Sequence, residues 1–278
     1  MKRIQRLGSV SFVTVLLSLV FHLLAMSNDE WKTITCHGCG NTTDLQDILG
    51  SWTVALTERC YSTSVVGIFA PNGGYTGLTA SGFRAQVCVE NQYLMVKDIR
   101  NASYCLRYNE GFSDVACTLT EYNTKACKCD YSTRIKLILA MTILTSLSLG
   151  ILIFISHLVA FVKIDYVLEW LIPTCYSLLF FAILCIFITL FTAGTGLDDE
   201  INQLRYSQSL FEVAYFNDSS ATAHMNAYKK TLTRTYSVKL GWCFGMEVMA
   251  LYFSIVSAVL YLLMYLVKQH PNAIKAIK

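Results

Sequence analysis

The sequence predicts a mostly α membrane protein, an up-and-down bundle of four transmembrane helices with a disulfide-rich, small β-sheet extracellular segment. Four hydrophobic runs, at 8–26, 135–162, 166–195 and 239–267, are each close to or above the ~20 apolar residues that cross a bilayer. Eight of the eleven cysteines fall between the first and second runs. Short stretches of alternating apolar and polar residues occupy the same interval, which is the period of a strand and not of a helix. Hydrophobic residues make up 54% of the chain and charged residues 15%, with three prolines in 278 positions. That composition is far from an average soluble domain. The formal charge of +3 is small and its basic residues are scattered, so nucleic acid binding has no footprint.

Residues 1–7 form a short cytoplasmic start carrying Lys2, Arg3 and Arg6. The first run, 8–26, has only His22 as a strongly polar interruption, and it fits two descriptions. It is long enough for a first span, and it also has the basic start, apolar middle and small Ala25 and Ser27 of a cleavable signal peptide. Both descriptions deliver Asn28 onward to the outside, because the basic flank stays cytoplasmic.

The first outer segment, 27–134, holds Cys36, Cys39, Cys60, Cys88, Cys105, Cys117, Cys127 and Cys129. An even cysteine set beside membrane spans reads as a disulfide framework, and eight cysteines leave 105 connectivities open. Trp52, Val54 and Leu56 alternate with polar or small residues, as do Phe83 to Val89 and Tyr104 to Tyr108. A small antiparallel sheet is expected, and Cys88 and Cys105 are candidates for a cross-strand bridge if their strands are neighbours. Cys36-His37-Gly38-Cys39 with Cys127-Lys128-Cys129 has the look of a zinc site, but in an oxidising compartment these cysteines are expected to be disulfides. No metal, cofactor or catalytic set is expected.

The second and third spans, 135–162 and 166–195, are separated only by the cytoplasmic turn 163–165, which forces an antiparallel hairpin. In the second outer segment, 196–238, Leu197, Ile201, Leu204, Phe211 and Tyr215 fall on one helical stripe, so part of it is expected to be helical. The fourth span, 239–267, is followed by a cytoplasmic tail, 268–278. Asn41, Asn101 and Asn217 each begin an N-x-S/T glycosylation sequon, and all three fall in segments placed outside by this topology. Both termini are then cytoplasmic.

Two features inside the spans stand out. Glu247, counted from Lys239 at ~1.5 Å per residue, lies roughly 12 Å into the fourth span, where a carboxylate is costly and usually meets a partner. The plainer expectation is a protonated or water-linked Glu packed inside the bundle. The sharper one is a contact with His22, since first and last helices of an up-and-down bundle are neighbours. Gly241 and Gly245 form a G-x-x-x-G, expected to let helices approach closely, within the bundle before any homodimer.

The order of spans and loops, with Trp31 just after the first span, Gly50-Ser51-Trp52 followed by Cys60, Arg134 before the second span and Gly241-Trp242 at the last, resembles the claudin superfamily, including its peripheral myelin protein and calcium-channel gamma subunit branches. The sequence departs from that pattern in having Ser51 in place of Leu, seven residues between Trp52 and Cys60 in place of two, and eight cysteines in place of one pair. The resemblance implies a left-handed four-helix bundle topped by a small sheet. It also implies a non-enzymatic plasma-membrane protein of cell contacts, junctions or membrane-protein organisation. Its partners would be the lipid bilayer and other membrane proteins in cis or trans, copies of itself included. The alternative is an auxiliary subunit that modulates or traffics a channel or receptor. A transporter has less support, because one intramembrane carboxylate is too little for an ion path.

Overall fold

The computed structural model describes residues 2–37, 52–61, 87–91, 93–95, 103–104, 128–161, 165–197 and 236–269. The chain divides into two compact units. One comprises Met1–Asn28, Leu137–Ala193 and Cys243–Lys278, the other Asp29–Lys136 and Gly194–Trp242.

The first unit is helical. It is formed by α1 (Lys2–Ser27), α2 (Thr133–Phe161), α3 (Asp165–Thr195) and α4 (Trp242–Gln269), all four long and apolar enough to cross a membrane. Their buried positions follow one rule. On α1 they are Gly8, Ser11, Val15, Ser18, His22 and Ala25; on α4 they are Cys243, Glu247, Ala250, Ser254, Ser257, Tyr261 and Met264. Both series step alternately by three and four residues, as do Ile135 to Val159 on α2 and Leu168 to Ile186 on α3. A seam that repeats every 3.5 residues keeps facing its partner only if the helices wind around each other left-handedly. Val15, Leu149, Leu152, Ile172, Leu179 and Met264 meet in the main core, so every helix contributes to it. The opposite faces are apolar too, from Val13 and Leu24 on α1 to Phe154, Phe187 and Ile255 on the others.

Close approach is set at one position that the sequence reading passed over. A Cβ added at Gly8 would meet the Ala160 backbone at 3.4 Å, so α1 and α2 pack nearly backbone to backbone there.

The second unit carries two antiparallel sheets. The larger has five strands in the order β4-β3-β2-β1-β8, from β1 (Lys32–Cys36), β2 (Trp52–Val54), β3 (Glu58–Tyr61), β4 (Val87–Glu90) and β8 (Tyr236–Leu240). The smaller has the order β6-β5-β7, from β5 (Tyr93–Met95), β6 (Ser103–Tyr104) and β7 (Lys128–Asp130). Alternation across the pleat puts Ile34, Val54 and Tyr236 on one face, all buried, while Thr33, Thr53 and Ser237 on the other are half exposed. Between β2 and β3 the amide of Ala55 donates to Glu58 O at 2.8 Å, closing a tight hairpin.

Several expectations need correction. The alternation that ran on to Leu56 ends at Val54, because Leu56 is taken into that hairpin turn. The fourth helix begins at Trp242 and not at Lys239, since Tyr236–Leu240 is a strand paired along its whole length with β1. The strand beside β4 is β3, so Cys88 is registered opposite Cys60, and Cys105 lies outside the described residues. Helix α1 already begins at Lys2, with its candidate span at Ile4–Ser27. The second and third helices match their expected spans within two residues at each end. Helix α3 stops at Thr195, and the Lys32 ammonium donates to Gly196 O at 3.1 Å, satisfying a carbonyl past the helix end. The helical stripe expected from Ile201 to Tyr215 lies outside the described residues.

Candidate functional site

The structure brings His22 and Glu247 together. Both side chains are fully buried, and His22 Nδ1 lies 2.9 and 2.8 Å from the two carboxyl oxygens of Glu247. Each residue occupies a core position of its helix, one on the three-and-four series of α1 and the other on that of α4. The corrected helix start places Glu247 five residues into α4, about 7.5 Å along its axis and shallower than the count from Lys239 implied. The other imidazole nitrogen, Nε2, faces α2, at 3.0 Å from Thr142 O and 3.1 Å from Ser146 Oγ. One ring therefore ties three helices.

Hydrogen bonding dictates where protons sit. Thr142 O is an acceptor only, so Nε2 carries a hydrogen and donates it. The Ser146 hydroxyl has an acceptor of its own, either Thr142 O at 3.0 Å or Met26 Sδ at 3.3 Å.

Below this node a row of hydroxyls continues between α1 and α4. Ser18 Oγ lies 2.7 Å from Ser254 Oγ and donates to Ala250 O at 2.9 Å, so Ser254 supplies the hydrogen between the two serines. One turn further, Thr14 Oγ1 and Ser257 Oγ are 2.7 Å apart, and each also reaches a carbonyl of its own helix, Ser11 O or Phe253 O. Ser11 Oγ and Thr189 Oγ1 are buried hydroxyls without a hydrogen-bond partner among the described residues. Thr14, Ser18 and Ser257 were not singled out by sequence. Their signal was present in the seven-residue spacing of Ser11 to Ser18, read against the same spacing of Ala250 to Ser257.

The expected G-x-x-x-G does not lie on one helix. Gly241 precedes α4 and Gly245 lies within it, and a Cβ on Gly245 would meet nothing within 4 Å. A Cβ on Gly241 would instead overlap the Glu30 carbonyl oxygen, and the Gly241 amide donates to Trp31 O at 2.9 Å. Gly241 is thus required by the approach of the β8 end to the residues before β1, and not by helix pairing. Trp31 itself is buried, its amide donating to Val54 O at 3.0 Å.

The remaining residues singled out by sequence are dispersed. Trp52 lies in β2 and Cys60 in β3, with Thr53 registered opposite Cys60. Arg134 is exposed in the first turn of α2, whose N-cap is Ser132, accepting from the Ile135 amide at 3.3 Å. Trp242 opens α4 and is partly exposed. Cys36 ends β1, Cys88 lies in β4 and Cys129 in β7. Cys39, Cys105, Cys117, Cys127, Gly50 and the sequon residues Asn41, Asn101 and Asn217 lie outside the described residues. His37 Nε2 is 2.8 Å from Ser237 Oγ, a partner on β8. Among the described residues no group of three or more His, Cys, Asp or Glu side chains is arranged to hold a metal.

No protein-family model matches the chain, and no curated protein matches it significantly.

Proposed function

We propose that this chain is a non-enzymatic, claudin-like multi-pass membrane protein of the plasma membrane that acts in cell contact, junctions or membrane-protein organisation through its extracellular segments. The observation that carries this reading is the five-stranded sheet. It draws β1 to β4 from the segment before α2 and β8 from the segment before α4, so two outer loops build one recognition surface. Insertion in a bilayer is supported by the outward faces of the four helices, which expose leucine, isoleucine, valine and phenylalanine along their length. A helix apolar on all sides is stable only inside a large core or a membrane. The exposed Trp242 at the start of α4 and Trp170 near the start of α3 suit the two headgroup zones. In this reading both termini are cytoplasmic and the extracellular cysteines are paired as disulfides.

The test is a mixed culture in which labelled expressing cells meet expressing or non-expressing neighbours. The protein is expected to gather at contacts only where both cells make it; uniform surface label at every boundary rejects the adhesive reading. One observation favours the lateral alternative, an auxiliary subunit of a channel or receptor. Phe180, Leu184, Phe187 and Phe191 form an exposed row on α3 at helical spacing, with Phe187 and Phe191 stacked at 6.5 Å. That alternative predicts co-purification of a larger membrane protein in mild detergent, and a single small particle would count against it.

A further inference from the structure

The polar row between α1 and α4 contains two kinds of contact that differ in how well they define register. The hydroxyl contacts are degenerate. Sliding α4 by one step brings Ser257 opposite Ser18, and there hydroxyl again faces hydroxyl. The His22 to Glu247 contact is not degenerate, because His22 is the one imidazole on the α1 seam and Glu247 the one carboxyl group on the α4 seam, and the same slide leaves both without the other.

We propose that His22 and Glu247 share one proton as a neutral clasp, and that this clasp fixes which turn of α1 meets which turn of α4 and selects α2 as the third helix. The proton count follows from the contacts. With Nε2–H committed to Thr142 O and Ser146 Oγ, the space between Nδ1 and the carboxyl group holds one hydrogen. Nδ1–H facing a carboxylate and a carboxylic O–H facing Nδ1 have the same composition, and the pair is neutral in both. Two hydrogens would set donor against donor at 2.8 Å; none would set lone pair against lone pair and bury a net negative charge. Because Nε2 points at α2, the ring also distinguishes that helix from α3. A buried polar pair that costs stability when broken, yet defines register, is the best-attested use of such groups in helix assemblies. The inference does not rest on the proposed function.

The experiment uses the full chain with Cys175, Cys185 and Cys243 changed to alanine, since none of these three helix cysteines is in a disulfide. Ser257→Cys is combined either with Thr14→Cys, which reports the native register, or with Ser18→Cys, which reports the slide. Bridging is measured by peptide mapping after mild oxidation in native membranes. Native-register bridging is expected to exceed the slid pair at least tenfold. In the double variant His22→Leu with Glu247→Leu, which leaves no unpaired charge and so still accumulates, the preference is expected to fall at least fivefold; an unchanged preference overturns the register role. Glu247→Gln is expected to keep the preference, because its amide N–H donates to Nδ1, whereas Glu247→Leu loses it. Equal loss in both single variants overturns the shared neutral proton.

Discussion

At Gly241 the missing side chain is what lets β8 close against the residues that lead into β1. Gly241→Ala is expected to cost about 1–3 kcal/mol, read as a lower unfolding temperature in detergent, because the overlapped atom is backbone and cannot rotate away. Gly245→Ala, on an exposed helical face with open space around it, is expected to be neutral or to stabilise by up to about 1 kcal/mol. Equal losses at both glycines would restore the helix-packing motif. Ser254→Ala removes the hydrogen shared with Ser18, which keeps its bond to Ala250 O, so a loss of only about 0.6 kcal/mol is expected in the same measurement. Of this residue-scale picture, Glu247 and His22 were legible because a charge inside an apolar run is conspicuous. Gly8 and the serines were not, since small residues are common in such runs and their importance depends on what faces them.

The helices as elements were written plainly in hydropathy, but their ends were not. Tyr236, Val238 and Leu240 alternate with Ser237 and Lys239, a clean strand signal hidden by adjacency to the apolar run of α4. Strand β1 has one large apolar residue, Ile34, among threonines, and is a strand because β2 and β8 flank it. Ser132→Ala should destabilise α2 by about 1 kcal/mol through loss of its cap, seen as faster amide exchange in the first turn. In the larger sheet the register sets Cys60 directly opposite Cys88, and peptide mapping without reduction is expected to recover the two joined. Recovery of Cys88 joined to Cys105 would instead return the pairing that sequence alternation suggested.

At the scale of the whole molecule, the four-span topology proposed above would put the Asn41, Asn101 and Asn217 sequons on one side of the bilayer. Glycosidase treatment of the expressed protein is expected to shift its mobility, with each Asn→Gln change removing one step of that shift. Shifts from Asn41 and Asn101 without one from Asn217 would break the topology between α2 and α4. The four helices also share a common phase, each presenting its core seam every 3.5 residues. This makes the bundle tolerant of substitution and intolerant of a change in length. One residue inserted between Ser11 and His22 would rotate everything beyond it by about 100° and swing the imidazole onto the outer apolar face. Seven residues would nearly restore the angle while lengthening α1 by about 10 Å. Related chains, however far their letters diverge, should therefore conserve the spacing of these seams as a ruler and confine insertions to the loops.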